Sequence, residues 1–319
     1  MPHIAILDGY TLNPGDLDWS SLEALGDVSY YDRTSLSEII DRAKNSEILI
    51  INKLQLSQQT LRQLPKIKYI GVCATGFNNV DVVAAKELGV LVTNVRGYSF
   101  AAVAQLVFSL ILTITNRAEK HAQGVKDGKW TASLDWCYDH EAIFELAGKT
   151  LGILGLGDIG QRVAQIGLAF GMRVIAHRKN ISKSSIDGVE LVSLSELFEK
   201  SDILSLHCPL TPETQGVINK TNIEAMKPSA IIINSGRGGL IIEQDLADAL
   251  NAGRLAAAGL DVLSTEPPQS DNPLLTALNC YITPHQAWGA KESRQRLLTG
   301  ATENLKAFLE GKPQNVVNL

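Results

Sequence analysis

Short β-branched runs recur along the chain with helix-forming stretches between them, and this alternation restricts the fold more than any other feature. The runs cover residues 4–7, 48–51, 69–73, 91–93, 151–154, 174–176, 203–206 and 231–233. Strand–helix alternation predicts parallel sheets. Apart from Thr93 and Ser205 the runs are apolar rather than alternating with polar residues, so helices should cover both faces of each sheet, as in doubly wound folds. The predicted class is α/β, with two doubly wound parallel-sheet domains.

The 319 residues suit two domains. The runs split into one set before about residue 95 and another from about 150 to 284, with a long helix from 100 to about 126 predicted between them. The tail, 291–311, reads as an amphipathic helix with Leu297, Leu298, Ala301, Leu305, Phe308 and Leu309 near helical spacing. It should pack back on the first set. One domain is then discontinuous, 1–99 plus 286–319, and the other, 100–285, is inserted into it.

Composition narrows the partners. Hydrophobic residues at 45% and charged residues at 20% are ordinary globular values. A net charge of -5 gives no general attraction for nucleic acid or anionic lipid. The most apolar stretch, 101–114, is interrupted by Gln105, Ser109 and Thr113 and is too short for a membrane span. The start, Met1-Pro2-His3-Ile4-Ala5-Ile6-Leu7-Asp8, resembles a first strand more than a signal peptide. Cys73, Cys137, Cys208 and Cys280 lie far apart without metal-ligand spacing, which predicts reduced packing residues and no metal site. The expectation is a soluble cytoplasmic protein with no nucleic-acid or membrane partner.

The segment Thr150-Leu151-Gly152-Ile153-Leu154-Gly155-Leu156-Gly157-Asp158-Ile159-Gly160-Gln161 places GxGxxG directly after a strand and at the mouth of a helix running to Phe170. Gly155 allows the tight turn, Gly157 lets the backbone approach a pyrophosphate, and Gly160 lets helix and strand pack closely. An NAD site usually carries Asp or Glu at the end of the next strand to bond the ribose 2′-OH. Here that strand ends His177-Arg178-Lys179. A guanidinium meets phosphate oxygens bidentately, so Arg178 with Lys179 beside it favours NADP over NAD. The alternative is that both are solvated turn charges and NAD binds through its other groups.

Three further segments follow strands of the second set: Asn234-Ser235-Gly236-Arg237-Gly238-Gly239, Asp261-Val262-Leu263-Ser264-Thr265-Glu266-Pro267 and Thr283-Pro284-His285-Gln286-Ala287-Trp288. Each brings an ionisable residue to a strand's C-terminal edge, where open α/β sheets bind ligands. Singly, Arg237, Glu266 and His285 have structural explanations. Together, and beside a dinucleotide fingerprint, they supply what hydride transfer to a 2-keto acid needs. The arginine fork can hold a carboxylate and polarise the adjacent carbonyl. A protonated imidazole can give the carbonyl oxygen its proton, and a neighbouring carboxylate favours that imidazolium.

At these residues the sequence resembles the D-isomer-specific 2-hydroxyacid dehydrogenase family over essentially the whole chain. The resemblance includes Ala74-Thr75-Gly76-Phe77-Asn78-Asn79-Val80-Asp81, Phe170-Gly171-Met172-Arg173-Val174 and His207-Cys208-Pro209-Leu210-Thr211-Pro212-Glu213-Thr214. It implies a Rossmann cofactor domain inserted into a flavodoxin-like catalytic domain, with Arg237, Glu266 and His285 as the catalytic set. On the cofactor side it implies Gly155, Gly157, Asp158, Ile159, Gly160, His177, Arg178, Lys179, Cys208, Pro209, Thr214, Ser235 and Gly236, with Asp261 facing the nicotinamide carboxamide. Backbone amides near Thr75 and Gly76 would meet the substrate carboxylate, with Arg237 and His285 completing the substrate contacts. It further implies a homodimer paired through the helix and arm at 100–147. Trp130 or Trp136 of that arm would either reach the partner's active site or simply pack in the interface.

Gln105 departs from the glutamate of many family members, although Val103-Ala104-Gln105 resembles the glycerate dehydrogenase/hydroxypyruvate reductase branch. Gly128-Lys129-Trp130, Cys137-Tyr138, Leu146-Ala147-Gly148-Lys149-Thr150, Ala287-Trp288, Glu292, Arg294 and Arg296-Leu297 point to the same branch. Hydroxypyruvate and glyoxylate are then the expected keto substrates, giving D-glycerate and glycolate. Lactate-type or bulkier keto acids stay open, because selectivity comes from pocket shape. So does a nucleotide-sensing regulator on the same scaffold, which fold alone does not separate from an enzyme.

Overall fold

The computed structural model describes residues 1–138, 143–179 and 186–319. It divides into two compact units, Met1–Ser99 with Trp288–Leu319, and Phe100–Ala287. The later edge falls two residues beyond the expected one because the amides of Gln286 and Ala287 both donate to Asp261. Residues 139–142 of the predicted arm lie outside the described residues.

The first unit holds five parallel strands, β1 (His3–Ile6), β2 (Asp27–Tyr30), β3 (Ile48–Ile51), β4 (Tyr69–Val72) and β5 (Leu91–Asn94), in the order β2-β1-β3-β4-β5. This is the flavodoxin-like order, reversing between β1 and β3. In register Ile4 faces Val28 and Ile48, and Ile50 faces Gly71. Successive side chains alternate between faces. Ala5, Leu49, Ile51, Ile70 and Val92 therefore build one core, while Ile4, Ile6, Ile48, Ile50 and Tyr69 build the other. The C-terminal helix, Lys291–Leu309, covers the second face through Leu297, Leu298, Ala301 and Leu305. Leu309, expected in the same stripe, is exposed. Buried Arg294 fixes this helix with a bidentate pair to Asp16 at 2.7 Å and a bond to Leu12 O at 3.0 Å.

The second unit holds seven parallel strands, β6 (Thr150–Leu154), β7 (Arg173–His177), β8 (Val189–Leu191), β9 (Ile203–Leu206), β10 (Ile231–Asn234), β11 (Ala257–Leu260) and β12 (Cys280–Ile282). Their order, β12-β11-β10-β9-β6-β7-β8, reverses between β6 and β9. That is the doubly wound dinucleotide-binding order extended by one strand. The helix Phe100–Asn116 buries Val107, Leu110, Ile111 and Ile114 against Ile153, Ile231 and Ile233. Leu204, Leu206, Ile232, Ala258 and Leu260 line the opposite face.

One continuous helix from 100 to 126 is not what forms. Arg117 takes a left-handed φ of 50°, which interrupts the hydrogen-bond ladder, and a second helix, Ala118–Lys126, leaves at 54° to the first. Among the described residues no single helix is long and apolar enough to cross a membrane. All four cysteines are free. Cys73 and Cys208 are buried, whereas Cys137 is exposed and has no packing role.

Candidate active site

The turn after β6 is built around glycine geometry. Gly155 has a φ of 100°, and a Cβ there would stand 2.4 Å from the Cys208 nitrogen, so only glycine lets this turn approach the end of β9. At Gly160 a Cβ would meet the Gly155 carbonyl oxygen at 2.2 Å, which explains the close seat of the helix Asp158–Ala169. Gly157 differs from both. Among the described residues, and apart from its own chain neighbours, nothing lies within 4 Å of a Cβ built there, so packing within the fold does not call for glycine. The helix that follows has no side-chain cap. An open glycine beside uncapped amide donors fits a phosphate group.

The neighbouring strand ends present the other expected residues in a row. β7 delivers His177, whose Nδ1 lies 3.0 Å from Val192 O, then Arg178 and the exposed Lys179, 3.9 Å from Glu213. β9 delivers Cys208, whose thiol burial pushes up to about 11, and Pro209, whose carbonyl accepts from Thr214 Oγ1 at 2.7 Å. Thr214 thus holds the loop it was expected to line. His207, just before, has Nε2 2.8 Å from the Oγ of fully buried Ser205.

Burial pushes the His207 imidazole down to about 4, from an ordinary value of 6.5. Its folded state therefore favours the neutral ring, and the stability this group contributes is complete above about 6.5 and lost as pH falls toward 4. Thermal unfolding followed from pH 7 to 4 should show a steeper loss for the native chain than for His207→Asn. Parallel slopes would refute the assignment.

β10, β11 and β12 bring Arg237, Glu266 and His285 to one sheet edge. Buried Asn234 shapes the first turn, accepting from Gly236 N at 3.0 Å and donating to Arg237 O at 2.9 Å. The exposed Arg237 side chain donates to Gly236 O at 2.8 Å. A Cβ on Gly238 would overlap Leu263 C at 1.9 Å, so glycine lets this turn lie against the loop that carries Glu266. Glu266 accepts from Leu263 N at 3.1 Å, and its other oxygen lies 2.6 Å from His285 Nδ1. A carboxylate only accepts, so Nδ1 carries the proton in this bond and Nε2 remains for exchange with a ligand.

His285 has a left-handed φ of 49°. The turn is held from below by Asp261, which is 1% exposed and accepts from Thr283 Oγ1 at 2.7 Å, Gln286 N at 2.9 Å and Ala287 N at 2.9 Å. Burial pushes the Asp261 carboxyl above the usual carboxylate range, and these donors oppose the shift. Three of its roughly four acceptor positions are thereby committed to the His285 turn. The structure places Asp261 as the strut of that turn, a role the sequence did not reveal. Among the described residues no group of three or more metal-ligating side chains exists.

In the first unit, Thr75 and Gly76 follow β4. Thr75 Oγ1 donates to Val95 O at 3.0 Å, and neither the Thr75 nor the Gly76 amide has a hydrogen-bond partner among the described residues. At the β1/β3 reversal a second feature appears. Asp8 accepts from the amides of Asn52, Lys53 and Leu54 at 2.7, 2.6 and 2.8 Å, setting a loop that carries exposed Lys53, whose Nζ lies 5.8 Å over the Trp288 ring. The available signal was Asp8, one residue past the first apolar run.

Comparison with known proteins matches residues 108–287 to the family described as D-isomer specific 2-hydroxyacid dehydrogenase, NAD binding domain. The chain is 50% identical to a hydroxypyruvate reductase from Blautia hydrogenotrophica, over 99% of both chains. It is 42% identical to a glycerate dehydrogenase from Methylorubrum extorquens, over 88% of both. Among solved structures, an acyclic imino acid reductase in complex with NADPH and D-Arg superposes with a TM-score of 0.85 at 31% identity, covering 99% of each chain. A dinucleotide turn, a histidine–carboxylate pair on the same sheet edge and full-length similarity thus agree, and the chain belongs to the D-isomer specific 2-hydroxyacid dehydrogenase family.

Proposed function

We propose that this enzyme reduces hydroxypyruvate and glyoxylate to D-glycerate and glycolate, working with a nicotinamide dinucleotide. The observation that carries the chemistry is the 2.6 Å pair of His285 and Glu266 on the edge that also bears the glycine turn. The substrate class is supported by the relatives named hydroxypyruvate reductase and glycerate dehydrogenase.

The residues fitted to hold the cofactor are Gly155, Gly157, Asp158, Ile159 and Gly160 at the pyrophosphate, with Cys208, Pro209, Ser235 and Gly236 alongside. When bound, the nicotinamide supplies the hydride that reduces the keto carbon. His285 gives its Nε2 proton to the carbonyl oxygen as charge develops there, and Glu266 holds the ring through Nδ1 and compensates its positive charge. Arg237 grips the carboxylate and polarises the carbonyl with its planar fork. The open amides of Thr75 and Gly76 offer further donors to the substrate carboxylate.

We assign the cofactor preference to NADP. Arg178 stands where an acidic residue would bond a ribose 2′-OH, and a carboxylate there would repel a 2′-phosphate. The arm at 100–147 is assigned to pairing of two copies, supported by exposed Trp130, Leu134 and Trp136. A panel of 2-keto acids assayed with NADPH and NADH tests the reading. Hydroxypyruvate and glyoxylate with NADPH should give the highest kcat/KM. Preference for NADH removes the Arg178 assignment, and inactivity on the whole panel removes the substrate class. Light scattering of the same preparation, giving a single-chain mass, would remove the pairing.

A further inference from the structure

The loop that bears Thr75 and Gly76 has no regular structure of its own, so its position depends on what it is tied to. Three bonds tie Ala74 and Thr75 to the residues at the end of β5: Val95 N donates to Ala74 O at 3.0 Å, Thr75 Oγ1 donates to Val95 O at 3.0 Å, and Asn94 Nδ2 donates to Thr75 O at 2.6 Å. Asn94 is buried, and among the described residues its Oδ1 has no hydrogen-bond partner. Its side chain is therefore oriented by the bond to Thr75 and by its own backbone.

That backbone is held by the end of the chain. The segment 315–318 runs antiparallel along β5, with Val316 opposite Thr93, Val317 N donating to Val92 O at 2.9 Å, and Asn318 bonded to Val92 N and Val90 O. Asn315 sits at its start with a left-handed φ of 53°, which asparagine tolerates better than most residues. Asn315 O accepts from Asn94 N at 3.2 Å. Asn315 Nδ2 donates at 2.7 Å to Oδ1 of buried Asn304, whose Nδ2 in turn donates to Asn94 O at 2.9 Å. One residue near the end of the chain thus fixes the N–H of Asn94 directly and its C=O through Asn304.

We propose that the segment 315–318 is a positioning element for the substrate-carboxylate loop, with Asn315 as the positioning residue acting through Asn304 and Asn94. The proposal rests on Thr75 and Gly76 receiving the substrate carboxylate. It adds that the aim of those donors is set from the other end of the sequence. Asn315 touches neither substrate nor cofactor in this scheme. Its loss weakens keto-acid binding without altering the proton-transfer pair.

The test is Asn315→Gly, which keeps the left-handed backbone accessible and removes only the amide of an exposed residue. The keto-acid KM should rise roughly 5-fold, the net weight of one hydrogen bond, with kcat and the cofactor KM within about twofold of native. Hydrogen exchange at the Val95 amide, which bonds Ala74 O, should accelerate, while the Ile231 amide in the other unit serves as reference. Asn315→Asp keeps the size and the backbone preference but donates nothing, so it should behave like glycine; native behaviour would overturn the role of the amide. Unchanged KM together with unchanged Val95 exchange overturns the relay. Faster Val95 exchange with unchanged KM instead overturns the carboxylate role of Thr75 and Gly76, and with it the functional part of the proposal.

Discussion

His285→Gln is expected to lower kcat for keto-acid reduction by roughly 10²- to 10⁴-fold, the usual contribution of a positioned general acid. Glutamine retains a hydrogen-bond donor of similar reach but has no proton to release near neutral pH, so the loss should fall on kcat and spare the cofactor KM. The pH profile carries the sign. Reduction needs the protonated imidazole, so kcat/KM should decline as pH rises. Oxidation of the hydroxy acid needs the neutral ring and should decline as pH falls. The variant should lose both limbs. A His285→Gln enzyme with kcat within tenfold of native, or with native pH limbs, would rule out this residue as the acid.

Glu266→Gln separates positioning from charge. The amide oxygen can still accept the bond that Glu266 takes from Leu263 N or the one at His285 Nδ1, but it no longer offsets an imidazolium. kcat for reduction should fall, because the protonated ring loses the charge that compensates it. Native kcat in the variant would leave Glu266 with a steric role only.

The legible part of this protein was its repetitive part. Runs such as 48–51 and 231–233 are apolar on every residue because helices cover both faces, and β3 and β10 are buried throughout. The edge strands β2 and β8 gave no such run. Asp27–Tyr30 and Val189–Leu191 are half exposed, so burial does not demand apolar residues along their whole length. The bend at Arg117 was hidden for another reason: nothing local forbids helix there, and one left-handed residue suffices to end it. At the site, residues that a ligand would touch carry motif signatures, so Gly155, Arg237, Glu266 and His285 could be named from sequence. Residues that hold them do not. Asp261 beneath the His285 turn, Asn234 within the Arg237 turn and Asp8 under the Lys53 loop act through backbone amides and carbonyls, which every sequence offers everywhere. Only the folded chain shows which ones they meet.

Arg237→Lys tests whether planarity as well as charge is used at the substrate. Lysine preserves the positive charge but replaces a rigid fork of donors with a single flexible ammonium, so it cannot hold a carboxylate bidentately and polarise the carbonyl in the same geometry. Removing one preorganised donor to a developing oxyanion costs roughly 10²- to 10³-fold in kcat, and kcat/KM for the keto acid should fall at least that far. The turn itself should survive, because Asn234 holds the backbone of residues 236 and 237 rather than the side chain. Unchanged thermal stability and unchanged cofactor KM would therefore accompany the loss. Asn234→Ala should reach a similar deficit by the opposite route, leaving the guanidinium intact while freeing Gly236 N and Arg237 O, and it should lower stability as well because Asn234 is fully buried. If Arg237→Lys retains kcat/KM within about threefold of native, charge alone is sufficient, and the fork plays no part in polarising the substrate.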